Sequence, residues 1–228
     1  MTTPHEAPSP YLFSPDLNRV GVKICGITSG AQASAIVELG ADALGINFWP
    51  RSKRYIAVDD AAPWLRELAG TVPRVAVTVN ATDDELSAIH DSGVIDLIQL
   101  HGDETPERAA SLANEGLPVF KAMGVKDRAM LETALCYPSP TLLLDAYAPT
   151  EYGGSGETMD WKLGAEAVSK RPDHQIILAG GLKPENVSDA IKQVKPAGVD
   201  VASGVEAEPG VKDLELVRLF VENARAAL

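Results

Sequence analysis

The stretch GVKICGIT, residues 21–28, ends an apolar run on a cysteine followed by glycine. A thiolate there can act as nucleophile or base. Gly26 lets the backbone turn sharply and leaves the Cys25 thiol facing outward. The plainer reading of Cys25 is a small buried hydrophobe. Asp145 closes TLLLD, the most apolar run of the chain. Burial at that position would raise its pKa and make it a proton donor; a helix cap or a salt bridge is the plainer use. PRSKRYI places Arg51, Lys53 and Arg54 within four positions. In an acidic chain such a cluster suggests an anion site, because arginine grips a carboxylate with two parallel hydrogen bonds. The alternative is a solvated basic loop. LAGGLKPENV and VASGVE supply Gly180, Gly181, Ser203 and Gly204. Glycines there let backbone N–H groups approach an anion. Either segment alone is ordinary turn chemistry; the two together favour a bound phosphate. Gln99 and His101, in DLIQLHG, are polar groups able to line a pocket. His101 is the one histidine at the end of an apolar run, and neither HxH nor HExxH occurs. No metal is therefore expected. The first run is followed by no P-loop and no GxGxxG, so no nucleotide cofactor is expected.

These residues need elements to hold them. Eight short runs rich in Val, Ile and Leu fall at 20–27, 43–49, 74–79, 96–102, 118–124, 141–147, 175–181 and 198–204. Continuous apolar runs of this length suit strands covered on both faces, as in parallel sheets. Helical patterns fill the gaps. Thr82 with Glu85 reads as a capping box stopped by Gly93. Thr105–Pro106 opens a helix that Gly116 closes, and Pro184 opens another. The final helix sets Leu214, Val217, Val221 and Ala224 on one face. Eight βα units of roughly 26 residues predict a single (β/α)8 TIM barrel, at the small end for that fold. A doubly wound open sheet is the alternative. A barrel gathers its site at the C-terminal strand ends and binds phosphate at the last two loops. Here those ends carry Cys25, Asn47, Arg54, Asn80, Gln99, His101, Lys121, Asp145, Gly180, Gly181, Ser203 and Gly204.

The 228 residues carry a formal net charge of -12 and are 45% hydrophobic. Such a chain has no global attraction to nucleic acid. It contains no run of 18 apolar residues, so no membrane span is expected. Residues 1–19 hold four prolines and no signal-peptide pattern; they are expected to form a flexible lead-in to a barrel domain over 20–228. A cytoplasmic location follows by elimination. Two cysteines are too few for a disulfide framework, and Cys136 reads as structural. Monomers and homodimers both fit a barrel of this size.

VKICGIT, SKRYI, IQLHGDE, LLLDAY…GGSG, LAGGLKPENV and DVASGVE…PGVKD stand in this order along the chain. Together they resemble the phosphoribosylanthranilate isomerase family, from about Val20 to the C-terminus. The resemblance implies a cofactor-free Amadori rearrangement of a small phosphosugar in tryptophan biosynthesis. By motif, Cys25 is similar to the family's general base, Asp145 to its general acid and Arg54 to its clamp for the anthranilate carboxylate. The glycines of strands seven and eight would hold the phosphate, helped by Gly154 and Gly156 of GGSG. The chain departs from the pattern at Glu157, where a lysine is expected in many relatives, and at Ala202, where serine is frequent. Other phosphosugar barrels fit less well. An epimerase would want metal-ligand histidines, and a synthase more strand lysines than Lys23 and Lys121. A catalytically inactive phosphometabolite-binding barrel would have lost Cys25 or Asp145.

Overall fold

A computed structural model describes residues 11–147 and 158–227. Eight parallel strands close into a barrel: β1 (Gly21–Cys25), β2 (Ala43–Asn47), β3 (Arg74–Thr78), β4 (Leu97–Leu100), β5 (Val119–Gly124), β6 (Thr141–Asp145), β7 (Gln175–Leu178) and β8 (Gly198–Val201). β1 closes the ring by pairing with β8, Lys23 lying beside Asp200. The helices are α1 (Gly30–Glu38), α2 (Val58–Glu67), α3 (Asp83–Asp91), α4 (Pro106–Asn114), α5 (Arg128–Ala134), α6 (Trp161–Lys170), α7 (Val187–Val194) and α8 (Leu214–Arg225). The (β/α)8 expectation is met, and every expected strand exists in shortened form.

The strands are mostly apolar because both faces are covered. Side chains alternate across a strand. Val22, Ile24, Leu44 and Ile46 join the helices in one apolar cluster. Ala43, Val75, Leu97, Phe120, Leu143 and Ile177 form a second cluster inside the barrel. Leu12 and Phe13 belong to that inner cluster. The Phe13 backbone N–H donates to Gln175 Oε1 at 3.0 Å, and Gln175 Nε2 donates back to the Phe13 carbonyl at 2.7 Å. A Cβ at Gly21 or Gly198 would strike the Phe13 ring, at 2.5 and 2.2 Å. Leu12 and Phe13 thus plug the N-terminal end of the barrel, while most of residues 14–19 stay exposed.

The helix starts follow their caps. Thr82 and Glu85 form the expected capping box, and Thr105 accepts from the Arg108 N–H ahead of Pro106. α7 begins later than Pro184 suggests, because Asn186 Oδ1 accepts from the Lys183 N–H and holds those residues in a loop. Leu214 is exposed, not buried with Val217, Val221 and Ala224; it is the first residue after the Asp213 cap, and Phe220 takes the core position. The eighth strand stops at Val201. A 3-10 turn, Ser203–Val205, follows and leads into a small hairpin of β9 (Glu206–Glu208) and β10 (Val211–Lys212) that the sequence reading did not anticipate.

Candidate active site

The C-terminal strand ends surround a cavity of about 490 Å³ lined by Cys25, Arg54, Gln99, His101, Asp145, Gly180, Gly181, Ser203 and Gly204, among others. That volume suits a small-molecule ligand. Gly154 and Gly156, together with Glu157, lie outside the described residues. Asn47, Arg51 and Lys53 also line the cavity. Asn80 and Lys121 do not. The Asn80 N–H donates to Glu104 Oε1 at 2.7 Å, and Lys121 faces away from the barrel interior to meet Glu104 Oε2 at 2.7 Å.

Cys25 ends β1 at the cavity edge, and both cysteines are free thiols. Gly26 takes φ +81, and a Cβ there would lie 2.3 Å from Arg54 Cδ. Glycine therefore serves two ends: it permits the turn, and it lets Arg54 cross the end of β1. Burial pushes the Cys25 thiol above its ordinary value; the Lys23 ammonium opposes this, Asp200 adds to it, and Lys212 and Arg54 oppose it.

Asp145 ends β6 and is 7% exposed. Burial raises its carboxyl to about 7, the Asp200 carboxylate adding to the shift while the Ala146 N–H and Lys23 oppose it. A buried carboxyl near 7 can hold a proton at neutral pH and give it up. His101 Nε2 lies 3.5 Å from Asp145 Oδ2, and Gln99 Nε2 lies 3.3 Å from His101 Nδ1. Burial, with Lys121 and Lys23 nearby, lowers His101 to about 3, so the ring is neutral. Gln99 Oε1 is buried without a partner among the described residues. Gln99 and His101, expected as ligand contacts, thus also form a chain of contacts behind the carboxyl group.

Arg54 is held by Glu206, the first residue of β9. Its Nε and Nη2 donate to the two carboxylate oxygens at 2.8 and 2.7 Å. Lys212 Nζ donates to Glu206 Oε1 at 2.8 Å. Burial would push Glu206 up, but these two cations hold its carboxyl below the usual range. The hairpin after β8 thereby fixes the guanidinium at the cavity wall.

Gly180 and Gly181 take φ +82 and +62 after β7. A Cβ at Gly180 would lie 2.4 Å from the Ala146 N, and one at Gly204 would lie 1.9 Å from the Leu182 carbonyl oxygen. Glycine is required at both, and their backbones lie open along the cavity. Among the described residues, no cluster of three His, Cys, Asp or Glu side chains could hold a metal.

Four charged groups escaped the sequence reading as parts of this site: Lys23, Asp200, Glu206 and Lys212. The first two are single charges inside apolar runs, VKIC and VDVA. That interruption was their available signal, since charge is seldom buried unless paired.

The comparisons agree with this geometry. Residues 22–223 match the family model described as N-(5'phosphoribosyl)anthranilate (PRA) isomerase. A protein of that name from Trichlorobacter lovleyi is 43% identical over 209 residues, covering 92% of this chain and 100% of its own length. The crystal structure of the phosphoribosyl anthranilate isomerase from Thermotoga maritima aligns with a TM-score of 0.82 at 42% identity, covering 91% of this chain and 99% of that one. A phosphoribosyl anthranilate isomerase solved in complex with reduced 1-(o-carboxyphenylamino)-1-deoxyribulose 5-phosphate aligns at 0.79 with 40% identity, covering 91% and 99%. With barrel, thiol, carboxyl group and arginine on one rim, the chain belongs to the phosphoribosylanthranilate isomerase family.

Proposed function

We propose that this barrel converts N-(5-phosphoribosyl)anthranilate to 1-(2-carboxyphenylamino)-1-deoxyribulose 5-phosphate, with Cys25 as general base and Asp145 as general acid. The observation that carries the roles is the Asp145 carboxyl, buried at the end of β6 and raised to about 7, in the same cavity as the Cys25 thiol. The Asp145 proton passes to the furanose oxygen, the C1′–O bond breaks, and the anilino nitrogen lone pair forms the C=N bond of a Schiff base. That cation makes the C2′ proton acidic, and the Cys25 thiolate removes it. The C2′–H electron pair becomes the C1′=C2′ bond of an enolamine, which tautomerises to the ketone.

Arg54 grips the anthranilate carboxylate from the wall where Glu206 holds it. The N–H groups around Gly180, Gly181, Ser203 and Gly204 hold the phosphate, with Gly154 and Gly156 assigned to the same task by motif. Gln99 and His101 contact the substrate beside Asp145. No cofactor takes part. The catalytic unit is the barrel of residues 20–228 closed by its plug, working in the cytoplasm as a monomer or homodimer on a small phosphosugar, with neither nucleic acid nor membrane as partner.

The test generates phosphoribosylanthranilate in situ and follows its fluorescence as it disappears. Wild type turns over, while Cys25→Ala and Asp145→Asn lower kcat by at least about a hundredfold. Arg54→Ala mainly raises KM. Full kcat in Cys25→Ala would remove the base assignment. No turnover by folded wild type would favour an inactive barrel that only binds a phosphometabolite.

A further inference from the structure

Beneath the proposed base lies a lysine that the reaction, as written above, does not use. Lys23 is 0% exposed and sits on β1 two residues before Cys25, so both side chains point into the barrel. The Lys23 Nζ donates to Asp200 Oδ1 at 2.7 Å, across the β1–β8 seam. One carboxylate oxygen satisfies only part of an ammonium that has three protons to donate. Burial works against the charged form of Lys23, Asp200 favours it, and Cys25 provides another partner through a side-chain hydrogen bond and, as thiolate, through its charge. β2 makes room for this contact. Gly45 is the register partner of Cys25, and a Cβ there would lie 2.7 Å from Cys25 Sγ and 3.0 Å from Lys23 Nζ. The two heads share the hollow that glycine leaves.

We propose that Lys23 is a positioning residue for the base, its ammonium held under the thiol by Asp200 so that Cys25 can stand as a thiolate before it takes the proton. The inference rests on Cys25 being the base. The charged groups facing the thiol are Lys23 on its own strand, Asp200 from β8, Lys212 from β10 and Arg54 from the loop after β2. Arg54 and Lys212 are both engaged by Glu206, whose carboxylate offsets them. Lys23 makes the largest charge contribution favouring the thiolate, and Asp200 works against it. A lysine present only to fill space would have no such relation to the thiol, since an apolar side chain of similar volume can replace a buried ion pair without loss of stability.

The test reads the thiol directly. In a Cys136→Ser background, the rate of Cys25 alkylation by iodoacetamide is followed against pH, alongside the pH profile of kcat. Lys23→Met is expected to move the alkylation midpoint to higher pH and to slow alkylation about tenfold or more below it. Asp200→Asn leaves the cation without its counter-charge and is expected to move the midpoint the other way. The Lys23→Met/Asp200→Asn double variant strands no charge, so it guards against a misfolded single variant; its midpoint should lie above that of Asp200→Asn. Midpoints unchanged in all three, or moved in one direction by both single variants, overturn the proposal. Because alkylation needs no turnover, these outcomes stay separate from those of the isomerase assay. If Cys25→Ala kept full kcat, the base assignment would fail while the titration still reported on Lys23.

Discussion

At the scale of single residues, the carboxyl group proposed as general acid, Asp145, also bears on stability. Its carboxyl has an ordinary value of 3.8 and is raised to about 7 in the fold. The folded protein therefore holds this proton more tightly than the unfolded chain does. The stability that results is complete below 3.8 and is lost as pH rises from there through 7. Asp145→Asn, which carries no charge to bury, is expected to be more stable than wild type at pH 8 by about 1–3 kcal/mol. The difference should shrink toward zero at pH 4, and urea unfolding at the two pH values measures it. Cys25 and Asp145 were legible in the sequence because each ends an apolar run where a barrel opens. Lys23 and Asp200 were not, because their meaning depends on the pairing of the first strand with the last. Local pattern does not carry that pairing. His101 was legible as a polar strand-end group, but its contact with Asp145 joins β4 to β6 and emerges only once the ring closes.

At the scale of elements, the loops after β7 and β8 lock together through backbone. The Leu182 carbonyl occupies the place where a Cβ on residue 204 would stand, at 1.9 Å. Gly204→Ala must push these loops apart, since the atom it meets is main chain. Inorganic phosphate, as a competitive inhibitor, should then bind about tenfold more weakly, or worse, while Cys25 alkylation keeps its wild-type rate; inhibition kinetics give the first and alkylation the second. An unchanged inhibition constant would detach Gly204 from phosphate binding. The alternation of strands and helices was readable because two periodicities, 2 and 3.6, leave distinct marks. The hairpin of Glu206–Lys212 was not, because β9 and β10 are too short to show any period. Its sole local mark is Pro209–Gly210, and Gly210 indeed takes φ +85. Glu206 owes its importance to Arg54, 152 positions earlier in the chain.

At the scale of the whole molecule, the barrel is open toward its ligand at one end and sealed at the other by residues near the N-terminus. Phe13 is 4% exposed among Gly21, Gly198 and the inner apolar cluster. Phe13→Ala should cost about 3–5 kcal/mol, because the ring leaves a cavity that strands on every side prevent from collapsing. KM should stay at its wild-type value, since the plug sits at the barrel end opposite Cys25 and Asp145. A urea midpoint and a KM measured on the same sample decide this; a fall in stability accompanied by a large rise in KM would show that the two ends communicate. The plug also bears on the order of events during synthesis. Leu12 and Phe13 leave the ribosome before any strand exists, yet they bond to Thr141 and Gln175, 129 and 162 positions later, and the Phe13 ring rests against Gly198. Until the eighth strand emerges, the growing chain carries an apolar stub with no seat, exposed to chaperones and to other nascent chains. Leu12 and Phe13 wait for the last strand before they can settle.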